Sequence, residues 1–268
     1  MLQTEAQEIP LEGRNKLHRF LKEMPHAANR TLLLDYEGTI ADFSRDSGAA
    51  RSSRRVHNLL NQIRDATKTR LILVTAQRAQ DTLRLSGLEQ VEIWGCHGLE
   101  RLRANGNVEV PDLDAGVLQA LSRLDKLLTR EGLTNFVEHK PAGIAIHSMR
   151  VDTHPREIEE KVYGLWAKLP DRRGLSLTRF HNGLEIRANV RNKRDVVRTI
   201  LGEIGTTAAV AYLGEDQSDE DAFAALQGYG LGVLVRRQYR PTIADVWIRP
   251  PEGVIAFLGD WVDACGGA

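Results

Sequence analysis

Cysteine is scarce in this chain: Cys96 and Cys265 stand alone among 268 residues. Two such residues build no disulfide framework, and neither sits at a metal-ligand spacing. Net charge is missing as well. Lys+Arg and Asp+Glu both number 36, so no bulk field recruits nucleic acid or an anionic membrane. No apolar run approaches a membrane span, and no signal-peptide pattern opens the sequence. Neither His97 nor His147 has a second histidine at zinc-ligand spacing, and there is no internal repeat or low-complexity segment. These absences predict a soluble, cytoplasmic protein that binds neither nucleic acid nor membrane. What is present is a 42% apolar content, enough for one large domain or two modest ones.

Residues 1–29 read as a polar lead-in, with Leu17, Phe20 and Leu21 at the spacing of a short amphipathic helix. From Arg30 strands and helices alternate: a strand over Thr31–Leu34, a helix over Ser53–Ala66, a strand over Leu71–Val74, a helix to about Leu85, and a strand over Val91–Trp94. Such alternation predicts a parallel sheet with helices on both faces. After Gly98 the pattern changes to a hairpin turning at Asn105-Gly106-Asn107, a helix carrying Val117, Leu121, Leu124 and Leu128, and further strands around a second helix from Pro155. The alternation resumes at Lys193 and continues to a closing helix near Gly253–Ala264. The expected architecture is an α/β, Rossmann-like parallel-sheet core, 30–100 and 188–268, interrupted by a smaller α+β cap domain at 101–187.

Four polar elements follow apolar strands of the proposed core. Leu32-Leu33-Leu34 ends in Asp35, with Glu37 two positions on and Gly38 permitting a tight turn. Alternation along the extended chain sends both carboxylates off the strand end on similar sides, where open α/β sheets place their ligands. One can attack phosphorus while the other handles a proton. Leu71–Val74 ends in Thr75, whose hydroxyl and neighbouring N–H groups suit phosphate oxygens. Lys193 opens a helix, where one ammonium would neutralise a transferring phosphoryl group. Ala211-Tyr212-Leu213-Gly214 runs into Glu215, Asp216 and Asp219. Acids at a helix start also serve as caps; together with Asp35 they equally supply oxygen ligands for a hard cation such as Mg²⁺.

These segments resemble the haloacid dehalogenase superfamily of phosphotransferases, and within it the trehalose-6-phosphate phosphatases. Asp35-Tyr36-Glu37-Gly38-Thr39 is similar to the family's D-Y-D-G-T loop, and Leu73-Val74-Thr75 to its strand ending in Ser-Gly-Arg. Asn192-Lys193 is similar to its lysine motif, and Gly214-Glu215-Asp216-Gln217-Ser218-Asp219-Glu220-Asp221 to its G-D-D-x-T-D-E-D run. In the cap region Glu138-His139-Lys140, His147-Ser148-Met149-Arg150 and Leu184-Glu185-Ile186-Arg187 resemble the E-x-K, H-Y-R and L-E-V-R elements.

The resemblance implies a Mg²⁺-dependent phosphatase acting on a small sugar phosphate, trehalose 6-phosphate foremost, through an aspartyl-phosphate. It makes Asp35 the nucleophile and Glu37 the general acid/base, with Thr75 and Lys193 on the phosphoryl group. Asp35, the Glu37 carbonyl, Glu215, Asp216 and Asp219 surround the metal. Glu138, Lys140, Arg150 and Glu185 read the sugar, although Glu138 and Lys140 could equally form a same-face ion pair. The crossings near Gly98–Leu102 and His181–Ile186 are the expected hinges, and a trehalose-phosphate synthase is the implied functional partner. The chain departs from the family by carrying Glu rather than Asp at 37 and 215, and Thr75-Ala76-Gln77 in place of Ser-Gly-Arg. The changes keep open two alternatives: a phosphatase for another sugar phosphate, of glucosyl or mannosyl glycerate type, and a catalytically impaired sugar-phosphate-binding regulatory protein.

Overall fold

The computed structural model describes residues 11–42, 51–149, 154–180, 183–205 and 207–266. In chain order it runs α1 (Leu11–Glu23), β1 (Arg30–Asp35), β2 (Ala41–Asp42), β3 (Arg51–Ser52), α2 (Arg54–Ala66), β4 (Thr69–Val74), α3 (Ala79–Ser86), β5 (Glu92–Gly95), β6 (Glu100–Leu102) and β7 (Val108–Glu109). Then follow α4 (Ala115–Arg130), β8 (Val137–Lys140), β9 (Gly143–His147), α5 (Pro155–Lys168), β10 (Leu175–Phe180) and β11 (Gly183–Ala188). The chain closes with α6 (Lys193–Ile204), β12 (Ala209–Gly214), α7 (Glu220–Leu226), β13 (Leu231–Val235), β14 (Val246–Ile248) and α8 (Glu252–Ala264).

Two compact units result, one built from Met1–Glu109 with Asn192–Ala268, the other from Val110–Arg191. The first contains an eight-stranded sheet in the order β14-β13-β12-β1-β4-β5-β6-β7. Its strands are parallel from β14 to β5, and β6 and β7 add antiparallel at the edge. Alternate residues feed two apolar layers. Leu32, Leu34, Leu71, Leu73, Ala211 and Leu213 meet Leu60, Ile63, Phe257 and Trp261 on one face, with Leu17, Phe20 and Leu21 of α1 packed alongside. Leu33, Ile72, Val74 and Trp94 meet Val196, Ile200 and Phe223 on the other. Burial on both faces is why β1 reads as an unbroken apolar run. Strand order reverses between β1 and β12, so their carboxyl ends, Asp35 and Gly214, border the crevice where such sheets bind ligands.

The hairpin β6–β7 was expected in the cap; instead it extends the main sheet. The second unit accordingly starts at Val110 rather than 101 and ends at Arg191 rather than 187. Gly98–Leu102, the expected hinge, lies inside the first unit, where a Cβ on Gly98 would meet Val196 Cγ2 at 2.5 Å. Of the other expected hinge, His181 and Asn182 lie outside the described residues. The second unit is a four-stranded antiparallel sheet in the order β10-β11-β9-β8, with α4 and α5 against one side. Ile144, Ile146, Leu184 and Ile186 are buried on that side. Among the described residues no helix is long and apolar enough to cross a membrane.

Candidate active site

Gly38 sits at φ +75°, and a Cβ there would lie 2.8 Å from Glu215 Cγ, so the turn after β1 admits only glycine without a shift. That turn leaves Asp35 at the mouth of the crevice, 4% exposed. Its Oδ1 accepts from Lys193 Nζ at 2.6 Å and its Oδ2 from Thr39 Oγ1 at 2.9 Å. Lys193 is the first residue of α6, fixed by a capping box in which Asn192 and Asp195 exchange side-chain and main-chain bonds. Its ammonium also donates to Asp219 Oδ1 at 2.7 Å.

Asp219 is fully buried, and its acceptor positions are filled. Oδ1 takes Lys193 and the Tyr212 hydroxyl at 2.7 Å; Oδ2 takes the N–H groups of Glu215 at 3.0 Å and Asp216 at 2.9 Å. A carboxylate offers about four lone-pair sites, so Asp219, expected among the metal ligands, has none left for a cation. It shapes the loop that carries Glu215 and Asp216 instead. Asp219 thereby closes a capping box with Asp216 at the turn Gln217–Asp219. Glu220 likewise binds the N–H of Ile243 at 3.0 Å and pairs with Arg240.

Glu37 points to β4. Both its oxygens lie within reach of Thr75 Oγ1, at 2.8 and 2.9 Å, and it takes the N–H of Ala76 as well. Thr75 is thus engaged by the chain's own carboxylate at the position expected for a phosphate oxygen. Glu215 reaches Arg236 Nη1 at a long 3.3 Å.

Carboxylates outnumber cations in this crevice: Asp35, Glu37, Glu215, Asp216 and Asp219 gather around the Lys193 ammonium, with Arg236 reaching Glu215 and Arg240 the Asp216 carbonyl. Burial, then repulsion from Asp219, pushes the Asp35 carboxyl up, against the pull of Lys193. Burial lifts Glu37, and burial with the Asp216 charge lifts Glu215. Burial alone would lower Lys193, but Asp219 and Asp35 outweigh it and hold the ammonium above its ordinary value. Surplus carboxylate, oxygen donors only, is the chemistry a hard cation relieves. Among the described residues no three His, Cys, Asp or Glu side chains close a metal cage. Asp35, Glu215 and the Glu37 carbonyl, with Asp216 nearby, suit an ion that keeps several waters.

In the second unit the open side of the sheet is polar. Register puts Glu138, Ala145, Glu185 and Thr178 in one row, and His147, Gly183 and Phe180 in another. Small Gly143 and Ala145 on β9 let Lys140 reach across to Glu185 Oε1 at 2.9 Å. Glu138 bonds His147 Nε2 at 2.7 Å, and the Lys140 charge acts on it as well. The histidine's bond holds the Glu138 carboxyl below its usual range. His147 in turn meets Phe180 edge-on at 5.4 Å. Arg150 lies outside the described residues. Sequence reasoning gave Thr39 and Tyr212 no role, and it named His147 only within the H-Y-R-like element, without a contact to Glu138. Thr39 and Tyr212 touch the Asp35–Lys193–Asp219 set directly.

A parallel sheet with an acidic strand end, a buried lysine and an inserted antiparallel unit has the fold of the haloacid dehalogenase type. A Bacteroides thetaiotaomicron phosphatase of that superfamily shares the fold with TM-score 0.59 at 16% identity, covering 90% of this chain and 96% of that one. The C-terminal domain of C. albicans trehalose-6-phosphate phosphatase does so with TM-score 0.72 at 18% identity, covering 93% and 96%.

Residues 33–241 match the profile described as Trehalose-phosphatase. The chain belongs to that family, whose members are phosphoric monoester hydrolases. The probable trehalose-phosphate phosphatase C of Arabidopsis thaliana is 25% identical over 248 residues, 85% of this chain and 75% of its own length. A second relative, the probable trehalose-phosphate phosphatase 4 of Oryza sativa subsp. japonica, is 26% identical over 242 residues, and this chain spans 64% of its length.

Proposed function

We propose that this protein hydrolyses trehalose 6-phosphate to trehalose and phosphate in two steps at Asp35. The carrying observation is the buried Asp35–Lys193 pair at 2.6 Å, anchored through Asp219. An Asp35 oxygen attacks phosphorus, the bond from phosphorus to the sugar oxygen breaks, and Glu37 gives that oxygen a proton. Glu37 then removes a proton from water, which attacks the aspartyl-phosphate, releasing phosphate and restoring Asp35. Lys193 offsets the charge on the transferring group throughout. Mg²⁺, held by Asp35, Glu215 and the Glu37 carbonyl, would neutralise phosphoryl oxygens when bound.

Glu138, Lys140 and Glu185, with Arg150, would select the sugar. A buried charged group facing a hydroxyl rejects substrates that leave it unpaired. Such a substrate comes from a glycosyl transfer onto a sugar phosphate, which makes a trehalose-phosphate synthase the functional partner. Phosphate release from trehalose 6-phosphate, with and without Mg²⁺ and beside a panel of other sugar phosphates, tests this. Selective, Mg²⁺-dependent release that vanishes in Asp35→Asn supports the reading. Undiminished release in that variant removes the nucleophile, and preference for another ester reassigns the sugar.

The Arg236 contact to Glu215 favours one further reading, a sugar-phosphate sensor with impaired chemistry. Absence of release from every panel member by folded protein, recovered in Glu37→Asp with Glu215→Asp, would establish it.

A further inference from the structure

Thr75 has one hydroxyl proton, and its surroundings decide where it goes. Its oxygen already accepts from the Gln77 N–H at 3.0 Å, and Thr82 Oγ1 lies at 3.4 Å. The side chain is fully buried, so the proton is directed at the Glu37 carboxylate 2.8 Å away. The adjacent Ala76 N–H donates to the same carboxylate. A hydroxyl and a backbone N–H converging on one anion form an oxyanion seat, and two donors with one proton each hold one such anion at a time.

We propose that the Thr75 hydroxyl and the Ala76 N–H are an anion seat occupied by Glu37 in the resting protein, and that an incoming phosphoryl group displaces it. Phosphoryl binding and release of the general acid are then a single event. Once freed, the carboxylate takes up the proton it will donate, from the incoming phosphate monoanion or from water, and remains tethered two residues from Asp35, beside the oxygen that must be protonated. Residue length is part of the device. Aspartate is shorter by one methylene, about 1.5 Å of reach, whereas glutamate spans from the β1 turn to β4. Glutamate at 37 therefore has a role that aspartate cannot fill, that of an internal competitor for phosphate. The inference rests on the phosphoryl-transfer reading above but not on the identity of the sugar.

Inorganic phosphate is the probe, titrated calorimetrically into the full chain with Mg²⁺ present and absent. Glu37→Asp keeps the charge and loses the reach, so it should bind phosphate about ten- to hundredfold more tightly, the worth of one or two charge-assisted hydrogen bonds. Adding Thr75→Val should abolish that gain. Equal or weaker phosphate binding by folded Glu37→Asp overturns the proposal. A crystal structure of the unaltered protein with phosphate bound gives an answer independent of any variant's folding. Glu37 displaced from Thr75 supports the seat, and Glu37 still on Thr75 beside a bound phosphate refutes it. Neither experiment contains a sugar, so failure of trehalose 6-phosphate turnover leaves both readable.

Discussion

The Tyr212 hydroxyl donates to Asp219 Oδ1 at 2.7 Å, on the oxygen that also receives the Lys193 ammonium. Burial, then the neighbouring Asp219 charge, raises the phenol well above its ordinary value, so it stays a donor. Its hydroxyl thereby fixes the carboxylate that fixes the lysine. Tyr212→Phe keeps the ring's edge contact with Phe223 at 5.8 Å and removes only this bond. We expect a stability loss of about 1.5–3 kcal/mol, typical of a hydrogen bond to a charged group. Turnover should fall about tenfold with KM little changed, because loss of alignment acts on the transition state. Steady-state kinetics beside urea denaturation check both; a change confined to KM would contradict a positioning role.

Lys193 is the ammonium shared by Asp35 and Asp219, with all three side chains nearly inaccessible. Lys193→Met removes the charge and keeps the stem. Two buried carboxylates then face each other uncompensated, and breaking such a pair costs about 3–5 kcal/mol. The second change Asp219→Asn should restore much of that stability and none of the turnover. Denaturation midpoints that do not respond to the second change would show the pair to be energetically silent.

The core could be read from residue order because punctuation there is local. Apolar strands buried on both faces stop at Asp35, Thr75 and Gly214, and each stop borders the crevice. The hairpin at Asn105–Asn107 was equally legible, but the sheet it would join was not, since β6 folds back on β5 through a turn at Cys96–Gly98 in which Cys96 and His97, rather than a turn-forming Asn-Gly pair, take positive φ. Strand β14, three residues long, carries too little alternation to register. Asp219 could not be separated from Glu215 and Asp216 on the sequence. Its role follows from four donors arriving from α6, β12 and its own loop. Tyr212 hid for the same reason: its ring belongs to an apolar strand and only its hydroxyl belongs to the site.

At the opposite ends of the strands Glu203 is bound by Arg101 at 2.7 and 2.9 Å and by Arg70 at 2.7 Å. Glu92 also pairs with both arginines, and Arg101 lies over the Trp94 ring at 4.7 Å. The hydrogen bonds from Arg101, then those from Arg70, outweigh partial burial and hold the Glu203 carboxyl at about 2 against an ordinary 4.5. A depressed carboxyl contributes stability that is complete above its unfolded value and is lost as pH falls toward the folded one. The window is therefore between about pH 4.5 and 2. With a third of the side chain exposed, solvent screening reduces the contribution to about 1 kcal/mol. Glu203→Gln should be destabilised by that amount at pH 7 and should match the parent near pH 2. Parallel denaturation midpoints at all pH values would contradict the assignment.

Lys140 and Glu185 are side chains only 9% and 5% exposed, joined at 2.9 Å across Gly143 and Ala145 of β9. Such a pair fixes the position of each charge on the polar sheet face, and it is the part of the second unit best able to discriminate hydroxyl patterns. On the proposed function, phosphoryl chemistry takes place in the other unit, at Asp35 and Lys193. Lys140→Ala should therefore raise KM for trehalose 6-phosphate by about ten- to a hundredfold, since it strands Glu185 without its partner. Hydrolysis of p-nitrophenyl phosphate, which presents no sugar, should change less than about twofold. His147→Phe keeps a ring against Phe180 and deletes the bond to Glu138. It should raise KM by a smaller factor, because Glu138 is half-buried and water can replace the lost donor. Equal losses on both esters in Lys140→Ala would assign the pair to folding rather than to sugar recognition.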